Sequence, residues 1–426
     1  MKEPLSLPLK HFTGAAAAFV AFAAAVAWRG GDLVGFDFDA RFALGLTHVL
    51  TLGWAAQTII GAWLQMMPIH GEVSLTSPRA AAAGWRLYIL GGAAYVGALW
   101  SGVERYWIAA LAVAGGVAIE LAVLALTHAR ARRRDATWVH FAAALGWLGA
   151  LALVGTMMAY DRQSGVLFRD PEGGLIAHVH MALVGFVATA IYGAGRRLIP
   201  WVAMDQGRST WEGRGSFILT QVGLIGLALD ALFLGRRWMP VWACSIAGGL
   251  VLYALQLRPL LHRRPPLNPS LAFTLLAFSG GAVWAGLGLG LAFGRFPDVS
   301  AARAAYVWTA LVGCVTPMIL AQIHKIVPFL VWLQAYSSRP GAAPAVTIDK
   351  LTSPGLAWAE VAALAVAAPL GTAGLWLERG GLVREAGAAL LVCAACYAWN
   401  LAIALRHLRR RPSPRDAMSS CVPHEQ

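Results

Sequence analysis

Apolar residues arrive in runs of about twenty, and the polar residues between the runs are few and clustered. The runs fall near 12–29, 42–67, 82–101, 106–127, 137–160, 176–199, 214–235, 238–257, 271–294, 304–335, 355–377 and 384–405. Each is long enough to cross a hydrocarbon layer of about 30 Å as a helix. The pattern predicts an all-α polytopic membrane protein: twelve transmembrane helices forming one domain over 1–411, with 412–426 as a disordered cytoplasmic tail. The first run is expected as a retained helix, because no small-residue cleavage signal and soluble domain follow it.

A ruler laid on predicted helices 2, 6 and 10 finds the same marks three times. From His48, glycine falls at +5 (Gly53) and +13 (Gly61) and proline at +20 (Pro68). From His180 the marks are Gly185, Gly193 and Pro200; from Trp308 they are Gly313, Ala321 and Pro328. Three further helices separate each marked helix from the next. The chain therefore reads as three four-helix pseudo-repeats, about 1–134, 135–264 and 265–411, around an axis along the membrane normal, with the marked helices lining the interior.

Composition agrees with this class. A chain that is 58% hydrophobic and 13% charged, with 18 tryptophans and a mean hydropathy of +0.61, cannot cover itself as a soluble domain. The net charge of +13 points to the membrane and its lipid, not to nucleic acid, since the basic residues sit in short clusters between spans. Alternate loops hold 23 and 11 of the 34 Lys and Arg, which places both termini in the cytoplasm and the chain in a bacterial inner membrane. On this topology His48 and His180 begin their helices at the outer leaflet and His324 lies near the inner end. Cys393 and Cys396, a C-x-x-C inside an apolar run, read as packing residues.

Ionisable residues inside a membrane are costly and mark sites. His48, His178 and His180 are the leading candidates. At about 100° per residue, His178 points about 160° away from His180, beside the directions of Gly185 and Gly193. The glycines admit close helix packing or room for a flat macrocycle. The histidines admit haem ligation, a proton or ion path, or an interhelical hydrogen bond. His324 with the intramembrane carboxylates Glu120, Asp230 and Glu360 forms a candidate proton path. His11, His70, His128, His140, His262, His407 and His424 are expected at interfaces.

The His48 and His178/His180 helices resemble the ligand helices of the haem-copper oxidase superfamily: an outer-end histidine, H-x-x-x-x-G, a further glycine, an inner-end proline, and one H-x-H. That resemblance implies a twelve-helix subunit I with threefold pseudosymmetry. It also implies a low-spin haem b held by His48 and His180, a second haem facing His178, and an electron-donor subunit or cytochrome as partner. The implied activity is electron transfer or redox chemistry of nitric oxide or oxygen. Departures are visible too. The H-x-H lies on predicted helix 6 instead of helix 10, and predicted helix 7 contains no histidine, so copper is not expected and the enzyme class stays open. The alternative class is a secondary transporter or proton or ion channel; mid-span Pro317 on predicted helix 10 favours it.

Overall fold

Within a hydrocarbon layer a backbone must satisfy its own N–H and C=O groups, so long apolar runs fold as helices. A computed structural model describes residues 5–35, 40–202, 211–256, 258, 267–297, 299–336 and 346–409. It is 86% helix, with no strand among the described residues. The expected tail and the interfacial histidines 262 and 424 lie outside the described residues.

The helices are α1 (Ser6–Leu33), α2 (Arg41–Gly71), α3 (Pro78–Trp100), α4 (Trp107–Ala129), α5 (Ala136–Ser164), α6 (Pro171–Arg196), α7 (Trp211–Leu234), α8 (Met239–Gln256), α9 (Pro269–Ala292), α10 (Val299–Ala335), α11 (Pro354–Trp376) and α12 (Gly380–Arg406). Among the described residues eleven of these are long and apolar enough to cross a membrane. The chain is thus an integral membrane protein. Helix α3 has the length, 23 residues, but carries Arg79 and Arg86 and is less apolar than the rest.

Local chemistry sets several helix starts. Ser77, Asp135, Asn268 and Ser353 accept hydrogen bonds from first-turn amides of α3, α5, α9 and α11, satisfying donors the helix itself cannot. Asp161 and Asp230 act at the other ends. Asp230 accepts from Arg237 N at 3.0 Å and Trp238 N at 2.7 Å, tying the α7–α8 turn, and Asp161 binds Leu167 N and Phe168 N in the α5–α6 connection.

Helix α1 packs against α12, so the bundle closes on itself. Burial distinguishes three helices from the others: 89% of the apolar window of α10 is buried, 61% of α2 and 56% of α6, against 11% for both α8 and α9. The three helices that carry the ruler marks are therefore the inner ones.

Each of the three also contains a π-helical stretch that begins one residue after the marked position: Val49–Ala56, Met181–Ala188 and Thr309–Val315. Widened turns disturb the regular hydrogen-bond ladder. The residue nine positions after the mark sits at the end of the disturbance each time. Gln57 donates Nε2–H to Gly53 O at 3.3 Å, Thr189 donates Oγ1–H to Val184 O at 2.9 Å, and Pro317 has no N–H to place. Pro317 lies in the first turn of the regular helix that follows the π turn, Thr316–Ala335.

Candidate functional site

The glycine marks are explained by packing. A Cβ on Gly53 would stand 2.6 Å from Ala18 Cβ, and one on Gly61 2.5 Å from His11 Cβ, both on α1. Gly185 faces Trp147 Cγ at 2.7 Å and Gly193 faces His140 Cβ at 2.8 Å, both on α5. On α10, the carbonyl of Gly313 occupies the place a side chain on Gly280 of α9 would need. Each marked helix thus nests against the helix that precedes it in the chain, as small residues allow. The room for a macrocycle that these glycines also admitted is filled by aromatic and aliphatic side chains. Trp147 extends the α5–α6 contact by donating Nε1–H to Gln221 Oε1 at 2.7 Å, and Gln221 in turn donates to Thr189 Oγ1 at 3.0 Å.

Aromatic side chains fill the interior between α10 and α2: Phe19 stacks on Trp54 at 4.7 Å, Tyr397 meets Trp54 edge-on at 5.3 Å, and Phe22 lies against Trp308. Trp308, standing where the sister helices have histidine, donates Nε1–H to Ala368 O of α11 at 3.0 Å. His48 on α2 and His178 on α6 are both half-buried. His48 donates Nδ1–H to Leu44 O at 2.8 Å, which leaves Nε2 as the lone-pair nitrogen, and its ring meets Tyr95 edge-on at 5.1 Å. His178 lies within electrostatic reach of His48, and its Nδ1 is buried with no hydrogen-bond partner. Gly155 of α5 makes room for its ring; a Cβ there would be 2.6 Å from His178 Cε1.

The space between α6 and α10 is a cavity of about 1220 Å³ lined by His180. His180 repeats the His48 arrangement, donating Nδ1–H to Ile176 O at 2.8 Å. Its Nε2 accepts from the Tyr306 hydroxyl of α10 at 2.9 Å. All three histidines are half-buried, and His180 owes its exposure to the cavity. The helix geometry expected for H-x-H therefore holds: residues 178 and 180 face different spaces. Neither His178 nor His180 makes a ring contact or hydrogen bond with His48, whose ring meets Tyr95, while the ring of His180 meets Tyr306.

The polar residues assigned to a proton path separate into local arrangements. Glu360 receives His324 Nε2 at 2.6 Å and Asn400 Nδ2 at 3.5 Å; Asn400 in turn holds both backbone groups of Ser353. His324 stacks on Phe273. Glu120 lies 3.0 Å from His11, both sealed from solvent. Asp230 is the turn anchor described above and touches neither pair.

Three of the interfacial assignments, those of His11, His128 and His140, need correction, since all three side chains are buried. His11 is fully buried and paired with Glu120, and His140 is 5% exposed beneath Gly193, because α1 and α5 turn these faces into the glycine stripes of α2 and α6. His70 binds Asp135, His128 binds Trp138 O and His407 binds Tyr336 Oη. Cys393 and Cys396 are free thiols, Cys393 buried in α12.

Breaking a buried pair on one side leaves its partner desolvated, at a cost of about 3–5 kcal/mol. Glu360→Ala is expected to lower unfolding stability by about that much, and Glu360→Gln, which keeps an acceptor for His324, by clearly less. Thermal unfolding in detergent measures both; equal melting of Glu360→Ala and the parent would show the pair to be energetically idle.

Tyr306, the α6–α10 cavity and the π turns had no signal in the ruler marks. Tyr306 lies two residues before Trp308, the same offset as His178 before His180, and that register was the available clue. No family model and no curated protein matches the chain.

Proposed function

We propose that the chain is a haem-binding integral membrane protein in the manner of haem-copper oxidase subunit I, serving electron transfer or redox chemistry of nitric oxide or oxygen. Its three four-helix units sit in a bacterial inner membrane with both termini in the cytoplasm. The observation that carries the reading is a pair of half-buried imidazoles on α2 and α6: His48 with Nε2 presented by its Nδ1–H···O=C bond, and His178 with a buried nitrogen that finds no protein partner. The recurrence of π turns at matching positions supports the three units. The bias of Lys and Arg to alternate loops supports the orientation.

The donor set suits this group. Among the described residues no three His, Cys, Asp or Glu gather closely enough to hold a bare metal ion. A macrocycle brings four equatorial nitrogens of its own and asks the protein for one or two axial ones, and neutral imidazole suits iron. His48 and His178 would supply them. Bound haem contributes one-electron redox chemistry. The chain's own residues orient the rings through Leu44 O and Gly155, and the aromatic contacts of Trp63 with Phe141 and Phe186 add to the packing between α2, α5 and α6.

A second reading, a proton-coupled transporter or channel, draws on the buried pairs His324–Glu360 and His11–Glu120. Pro317 no longer speaks for it, since the helix absorbs that residue at the end of a π turn without breaking. Reduced-minus-oxidised absorption of protein purified from haem-supplied cells separates the two. A b-type spectrum with bis-imidazole character is expected; colourless protein would leave the transporter reading in possession.

A further inference from the structure

Helix α3 carries an exposed charge deeper along its length than any other helix does. Arg86 is exposed eight positions in from Pro78, about 12 Å along the axis at 1.5 Å per residue. No other exposed charged side chain among the described residues lies as far from the end of its helix. Leu87 and Leu90 beside it are exposed apolar side chains, so this face meets lipid. A guanidinium there is costly, and it lowers the cost by reaching back to the interface or by drawing a polar head group in.

Two more cations stand near it. Arg79 is exposed on the same face, two turns nearer the start of α3, and Lys10 is exposed on α1. The Lys10 Nζ lies 5.6 Å over the ring of Trp85, the residue before Arg86, and His11 meets the same ring edge-on. The starts of α1 and α3 therefore lie at one end of the bundle. Trp85 is half-buried, a ring of the kind that settles at head-group level. Among the described residues none of the three cations pairs with a carboxylate. Toward the other end of α3 the line through Arg79 and Arg86 continues over the small, exposed Ala93 and Gly97, and a Cβ on Gly97 would meet nothing within 4 Å.

Charge selects the occupant. Guanidinium groups bind phosphate oxygens in pairs, and an ammonium adds a point charge beside them. Three cations drawn from two helices suit a phosphate at the head-group level. A single carboxylate on a neighbouring helix would leave part of that charge unmatched.

We propose that the α1–α3 face binds an anionic phospholipid of the surrounding leaflet, its phosphate held by Arg79, Arg86 and Lys10 next to Trp85, with an acyl chain lying along Leu90, Ala93 and Gly97. The site shares no residue with the three histidines, so its failure would leave the haem reading untouched.

Native mass spectrometry of the delipidated full chain in detergent tests it, with phosphatidylglycerol as the probe and phosphatidylcholine as the zwitterionic match. The first phosphatidylglycerol is expected to bind at least about fivefold tighter than phosphatidylcholine. Arg86→Gln and Lys10→Gln should each weaken it about fivefold, the factor that corresponds to about 1 kcal/mol per basic residue at a membrane surface. Arg86→Lys should keep part of the affinity, and Arg406→Gln, in the last turn of α12, should change nothing. Equal binding of the two lipids, an affinity unchanged in Arg86→Gln, or the same loss in Arg406→Gln would overturn the proposal. So would a stoichiometric protein partner that is lost with Arg86→Gln, which would give the face to a helix bearing a carboxylate.

Discussion

His178→Ala protein, purified from haem-supplied cells, is expected to lose the low-spin b-type spectrum as completely as His48→Ala, whereas His180→Ala should keep it. The expectation rests on the proposed pairing of His48 with His178. His178 lies within electrostatic reach of His48, has a buried nitrogen without a partner, and enters space that Gly155 leaves clear. His180 turns to Tyr306 in another space. A bis-imidazole centre that loses either axial nitrogen becomes five-coordinate or takes a foreign ligand, and the absorption changes qualitatively. Restoring free imidazole to His178→Ala should bring back part of the spectrum, which a mere folding defect would not permit. Loss of the spectrum in His180→Ala with retention in His178→Ala would reinstate the pairing expected from the sequence and sink the one read from geometry.

The second large effect concerns α9 and α10. Gly280→Val is expected to cost about 3 kcal/mol or more and to deplete folded protein in the membrane fraction. The new Cβ would run into the Gly313 carbonyl, a backbone group on the most deeply buried helix, and no side-chain rotation relieves that. Gly286 is a matched control on the same helix: a Cβ there meets nothing within 4 Å. Gly286→Ala should be neutral or stabilising by about 0.5–1 kcal/mol, since glycine gives up more backbone freedom in a helix. Thermal stability of the two purified variants checks the contrast, and similar melting would show that α9 and α10 can separate at little cost.

Much of the architecture was legible because a bilayer punishes polar backbone wherever it is left unpaired. That constraint makes apolar run length a reliable guide to the helices; α3 is the weak member because Arg79 and Arg86 dilute it. The marked helices could be named as the inner ones from glycine spacing alone, and burial agrees. What the glycines do could not be read, since nearness to a ring and nearness to a helix select the same small residue. Angular counting separated His178 from His180 correctly. It could not say which of them meets His48, because that depends on how α2 and α6 are rotated against each other, and the π turns beside both histidines alter the rotation. His11 was misjudged for a related reason: a histidine one turn into a helix looks interfacial until a carboxylate three spans further along the chain, Glu120, is found beside it.

Helices α8 and α9 turn most of their residues outward, toward lipid, while their inner faces are pinned, α9 to α10 by the Gly280–Gly313 approach and α8 to α7 by the Ser216 hydroxyl on Gly249 O. Lipid thickness and lateral pressure therefore act on this wall through side chains that face the bilayer, leaving the two backbone seams to hold the pair in place.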